Sequence, residues 1–70
     1  MNLAEYLDYL GWSVAEFARK VGITRVTAAR ALRGEAVQPR IAQKIAAALS
    51  EAMDVKLLPG DIDGLNIERQ

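Results

Sequence analysis

The chain has no cysteine and no histidine among its 70 residues. The lack of cysteine excludes disulfides, and the lack of both residue types excludes the usual zinc sites. Histidine is also the commonest general acid or base, and no two acidic residues are spaced so as to predict a pair in an apolar catalytic pocket. We therefore expect a protein that is not an enzyme and that has no metal and no cofactor.

Long apolar runs are missing as well. No stretch of the sequence is long enough to span a bilayer, and the N-terminus has neither the basic start nor the apolar core of a signal peptide. These absences predict a cytoplasmic protein that makes no membrane contact.

Apolar residues make up 51% of the sequence, which suffices for a globular core. The length predicts one domain over residues 1–70, because so short a chain can build only one simple core. Alanine, the strongest helix former, is concentrated between residues 28 and 48 and favours closely packed helices. We expect a helical core over residues 1–53 and a C-terminal tail over residues 54–70.

Two capping boxes mark the starts of the first two helices. Asn2 followed by Glu5 predicts the first helix, which Gly11 ends. Ser13 followed by Glu16 predicts the second helix in the same way.

A glycine turn follows the second helix. Val21-Gly22-Ile23 predicts the end of that helix, and Thr24 can cap a third helix running to about Leu32 or Arg33. Two short helices joined by a turn of three or four residues with glycine form a helix-turn-helix unit.

A fourth helix is predicted to start at Pro39, because the N–H that proline lacks would be unpaired at the first helical position. It follows a loop over residues 33–38 and extends through Met53. The tail beyond it contains residues that oppose a long helix, and we expect an irregular segment with one short turn or strand: Pro59, Gly60 and Gly64. The sequence thus predicts an all-α fold, a compact bundle of four to five helices with an irregular C-terminal tail.

Charge is segregated although the net charge is zero. Between Phe17 and Lys44 the sequence has seven basic residues and one acidic residue, a net charge of +6, whereas the rest of the chain has a net charge of −6. A basic centre of this kind is suited to an anionic partner.

The predicted second to fourth helices and the turns between them contain a characteristic set of residues. These are Phe17-Ala18, Val21-Gly22-Ile23, Thr24-Arg25, Ala28, Ala31, Arg33-Gly34, Pro39 and residues 41–46. In these residues the sequence resembles the lambda-repressor-like, or Cro/XRE, family of helix-turn-helix proteins. The resemblance covers residues 3–53. In two places the sequence departs from the family: Val14 stands where many members have a phosphate-binding glutamine, and Ala28 and Ala31 are smaller than the residues common there.

The resemblance implies that double-stranded DNA is the partner and that the third helix enters the major groove. By position it assigns base contacts to Arg25, Val26, Ala29 and Arg30. It assigns contacts with the DNA backbone to Thr24, Thr27, Arg33, Arg40 and Lys44. The implied function is sequence-specific transcriptional regulation of the phage-repressor or Cro kind.

Helical spacing favours the same assignment. Val26, Ala29, Arg30 and Arg33 recur at the spacing of one helix face, opposite Ala28. Arginine can bind guanine O6 and N7 through two hydrogen bonds, and small apolar side chains can contact a thymine methyl group.

Four alternatives remain open at the level of sequence. The arginines of the third helix could be solvated surface charges, and the apolar tail could either form a homodimer interface or complete the core. The protein could also be an antitoxin or adaptor that mainly binds a partner protein, or a fold without a specific target that binds DNA weakly.

Overall fold

Four α-helices, each starting where the sequence predicts, make up most of the computed structural model, which describes residues 1–69. They are α1 (Leu3–Leu10), α2 (Val14–Val21), α3 (Arg25–Leu32) and α4 (Pro39–Met53), followed by a 3₁₀ turn at Pro59–Asp61. The all-α prediction is confirmed. None of the helices in residues 1–69 is both long enough and apolar enough to cross a membrane.

Both predicted capping boxes are present. The Asn2 side chain accepts a hydrogen bond from the Glu5 backbone N–H at 2.9 Å, and the Glu5 carboxylate accepts one from the Asn2 N–H at 2.8 Å. Ser13 and Glu16 make the same reciprocal pair at 3.1 and 3.2 Å. A cap of this kind typically stabilises a helix by about 1 kcal/mol, so the starts of α1 and α2 are set by side chains three residues apart.

The turn between α2 and α3 is made by Gly22, whose φ of +85° lies in the left-handed region. The N–H groups of Gly22 and Ile23 both donate to the Ala18 carbonyl, at 2.8 and 2.9 Å. Thr24 then caps α3 by accepting a hydrogen bond from the Thr27 N–H at 3.1 Å. The helix-turn-helix unit is therefore formed as the sequence predicts.

Small side chains bring the helices close together around three fully buried large ones, Phe17, Ile45 and Leu49. α2 packs against both α3 and α4, and α1 contacts α3. Alanines are buried on the inner faces of these helices: Ala18, Ala28, Ala31, Ala42 and Ala46. A helix face lined by alanine lets a neighbouring helix approach closely, and α3 is held in this way with its other face exposed.

Part of the C-terminal tail completes the core. Ile62 is buried, and Leu57 and Leu65 pack against the core cluster. The Ser50 hydroxyl joins α4 to the tail: it accepts a hydrogen bond from the Leu57 N–H at 2.8 Å and lies 3.1 Å from the Leu57 carbonyl oxygen.

The tail then runs alongside two other segments and forms one parallel β-bridge with each. The first bridge joins Asp63 to Asn2, and the second joins Ile67 to Val37 in the loop between α3 and α4. In the second bridge the Val37 N–H donates to the Asn66 carbonyl at 2.9 Å, and the Glu68 N–H donates to the Val37 carbonyl at 2.8 Å. The sequence predicts a short turn or strand here but not its partners.

Candidate nucleic-acid interface

The outer face of α3 is exposed because its inner face is buried against the bundle. Ala28 and Ala31 face the core, whereas Arg25, Val26 and Arg30 are exposed. Val26 is 63% exposed, so its side chain is open to contact from outside the protein. Of the four residues assigned to base contacts, Ala29 is the one that is half-buried.

The hydroxyl groups of Thr24 and Thr27 are paired with each other at the start of α3. The two oxygens are 3.0 Å apart, and Thr24 also accepts from the Thr27 N–H. One hydroxyl proton lies between the two oxygens, so the pair has one further proton to donate. Both side chains are therefore held in place and can still donate one hydrogen bond to an acceptor outside the protein.

The start of α4 presents a second set of donors beside α3. Arg40 and Lys44 are exposed and lie one helical turn apart. In the described part of the chain the Gln38 side chain does not cap α4, and Pro39 has no N–H. The N–H groups of Arg40 and Ile41 are thus left without a partner within the helix, as at the N-terminus of any helix that no side chain caps.

α3 and the start of α4 lie on either side of a shallow hollow of about 220 Å³. Thr27 and Arg30 line it from α3, Gln38 and Ile41 from the other side, and Glu68 from the tail. The structure thus places part of the predicted base-contacting set and the start of α4 on one continuous surface.

Arg33 lies in a different setting. α3 ends at Leu32, so Arg33 is the C-terminal cap residue, and its Nε donates to the Glu35 carboxylate at 2.8 Å. It lines a separate hollow together with Asn2 and Asp63. Arg33 and Glu35 are both more than half exposed, so other donors of the guanidinium remain open to solvent.

The remaining cations of this surface are unpaired. Within residues 1–69 two ion pairs occur, and neither involves Arg25, Arg30, Arg40 or Lys44. Four exposed cations that form no ion pair in residues 1–69 create a positive potential over the outer face of α3 and the start of α4. This surface is suited to a polyanion.

Residues of the tail also reach this surface, which the sequence does not predict. Glu68 and Arg69 line a hollow of about 490 Å³ together with Gln38, Pro39 and Arg40. No local sequence pattern predicts that the tail lies beside the start of α4, because the two segments are about 30 residues apart in the sequence. By sequence, Glu68 and Arg69 belong to the part of the chain outside residues 17–44, which has a net negative charge.

A comparison with protein families gives a match that fits this geometry. The family model described as helix-turn-helix matches residues 3–57, which include all four α-helices. No curated protein and no solved structure matches the chain.

Proposed function

The chain belongs to the helix-turn-helix family of the lambda-repressor-like (Cro/XRE) type, a family of DNA-binding regulators, and we propose that it reads a specific sequence of duplex DNA with α3 in the major groove. In this proposal it acts as a transcriptional regulator of the phage-repressor or Cro kind.

The observation that carries the proposal is the exposed outer face of α3. Arg25 and Arg30 extend from it without a carboxylate partner in residues 1–69, so they are free to bind guanine edges through paired hydrogen bonds. Val26 and Ala29 lie between them and offer apolar contact to a thymine methyl group. A bidentate arginine–guanine contact discriminates against the wrong base by about 1–3 kcal/mol.

The start of α4 and the threonine pair hold the DNA backbone in this proposal. Arg40 and Lys44 neutralise phosphates, and the free N–H groups at the start of α4 donate to phosphate oxygens. Thr24 and Thr27 supply one further donor at the start of α3. Arg33 joins this set once its guanidinium leaves Glu35 or shares its donors with a phosphate.

The apolar residues that the tail leaves exposed favour a homodimer. Val55 and Leu58 are 53% and 57% exposed, next to the C-terminal end of α4. A dimer that reads a palindrome must present two copies of α3 to one side of a duplex, about 34 Å apart.

The test is fluorescence anisotropy of labelled duplexes across a salt series. The duplexes are one sequence enriched from a random pool and one unrelated competitor. We expect tight binding to the enriched sequence, a large loss of that preference in Arg30→Ala, and no change in Lys56→Ala, which removes an exposed cation beyond the other end of α4.

Equally weak binding to both duplexes, lost near physiological salt, would overturn the proposal. That result would favour the alternative, an antitoxin or adaptor that mainly binds a partner protein. Analytical ultracentrifugation of the free protein tests the dimer separately, with Leu58→Glu as the variant that prevents self-association.

A further inference from the structure

The C-terminal tail reaches the surface formed by α3 and α4, and we infer that residues 66–69 are part of the DNA interface. Arg69 is a further phosphate-binding residue, and Glu68 is a carboxylate that weakens binding at the same place. This inference rests on the proposed function, because it adds residues to the same DNA-binding surface.

The backbone of this segment is held beside the loop that connects α3 with α4. Asn66 makes two contacts there: its carbonyl accepts from the Val37 N–H at 2.9 Å, and its side-chain amide donates to the Gly34 carbonyl at 2.6 Å. The Glu68 N–H closes the bridge on Val37 at 2.8 Å. Three hydrogen bonds within three residues fix the direction in which the chain leaves the bridge.

That direction leads to the predicted DNA-binding residues. Glu68 lines the hollow between α3 and α4 that also contains Thr27 and Arg30. It also lines the neighbouring hollow, where Arg69 lies with Pro39 and Arg40. Glu68 therefore lies beside both the base-contacting and the backbone-contacting residues, and Arg69 lies beside the backbone-contacting set.

The charges of the two residues have opposite consequences for a polyanion. Neither side chain forms an ion pair within residues 1–69, so both act on whatever approaches from solvent. A DNA phosphate near Arg40 is attracted by a second guanidinium from Arg69 and repelled by the carboxylate of Glu68. The pair thus adjusts affinity without reading bases.

Salt dependence measures this contribution directly. The slope of log K against log salt concentration is negative, and each phosphate that a protein neutralises makes it steeper by about 0.9. For Arg69→Gln we expect the slope to become shallower by about 0.9, which reduces the loss of affinity between 50 and 200 mM salt by about 3.5-fold. The affinity at low salt falls to the same extent for the enriched and the unrelated duplex.

Glu68→Gln is expected to act in the opposite direction, with tighter binding to both duplexes. Its backbone N–H still pairs with Val37, so the variant keeps the anchoring bridge. Lys56→Gln is the matched control: it also removes one exposed cation of the tail, beyond the far end of α4, whose 15 residues span about 22 Å. Thermal unfolding of each variant excludes loss of fold as the cause.

The result that overturns the inference is a salt slope for Arg69→Gln equal to that of Lys56→Gln, or affinity for Glu68→Gln equal to the parent protein. If Arg30→Ala and Arg40→Gln still weaken binding in that case, the proposed function stands and only the role of the tail falls. If the parent protein prefers no duplex, the proposed function and this inference fall together.

Discussion

The side-chain amide of Asn66 donates a hydrogen bond to the backbone carbonyl of Gly34 at 2.6 Å, joining residues 32 positions apart in the sequence. Gly34 has a φ of +81°, so it takes the left-handed conformation in the turn after α3. The hydrogen bond ties the tail to the turn from which the chain passes to α4.

We expect Asn66→Ala to lower the free energy of unfolding by about 1 kcal/mol, because one hydrogen bond is lost between two exposed segments. In a domain of this size that corresponds to a fall in Tm of about 4–8 °C. Thermal unfolding followed by circular dichroism checks it. Gln43→Ala, an exposed amide on α4, is the control and should leave Tm nearly unchanged.

The Ser50 hydroxyl is a second connection between α4 and the tail. It contacts both the N–H and the carbonyl of Leu57 and donates to the Ala46 carbonyl at 2.7 Å. Ser50→Ala leaves the half-buried Leu57 groups unpaired, and we expect a loss of about 1–3 kcal/mol in urea-induced unfolding. A change no larger than that of Gln43→Ala would contradict this expectation and show that water fully replaces the hydroxyl.

Base reading and backbone binding are expected to separate by mutation. Arg30→Ala should lower affinity for the enriched duplex by about 1–3 kcal/mol and relax the preference at one base pair. Arg40→Gln should instead weaken binding to all duplexes alike and reduce the salt slope by about 0.9. Selection from a random pool with each variant distinguishes the two; identical base preferences in both would contradict the assignment.

In the proposed complex, Glu35 competes with DNA for Arg33. Its carboxylate accepts from the Arg33 Nε at 2.8 Å, and an exposed pair of this kind is worth about 0–1 kcal/mol. We therefore expect Glu35→Gln to tighten binding by up to about fivefold. The gain should vanish when Arg33→Gln is combined with it, and a gain that persists in the double variant would exclude Arg33 as its source.

The helices could be predicted because their ends are decided locally. Asn2 and Glu5, or Thr24 and Thr27, interact across three residues, so the sequence contains both partners of each cap in one window. The glycine turn at Gly22 is local in the same sense. These signals fix the number and order of the helices, and the buried alanines of α3 fix which face remains exposed.

The tail could not be predicted in the same way. The bridge between Val37 and Ile67 depends on where the preceding core residue Ile62 lands on the bundle, and no short window of sequence contains both strands. The proximity of Arg69 to Arg40 follows from that bridge. The position of Arg33 outside α3 was not predicted, because the helical spacing that places it on the outer face applies only as far as Leu32, where α3 ends.

The bridge between the two ends of the chain also bears on how fast the protein folds. The Asp63 N–H donates to the Met1 carbonyl at 3.1 Å, across 62 positions of sequence. Helices form from neighbouring residues within about a microsecond, whereas contacts between distant residues require the chain to close a long loop first. We therefore expect the helices to form early and the contact between Met1 and Asp63, which closes the longer loop, to form last.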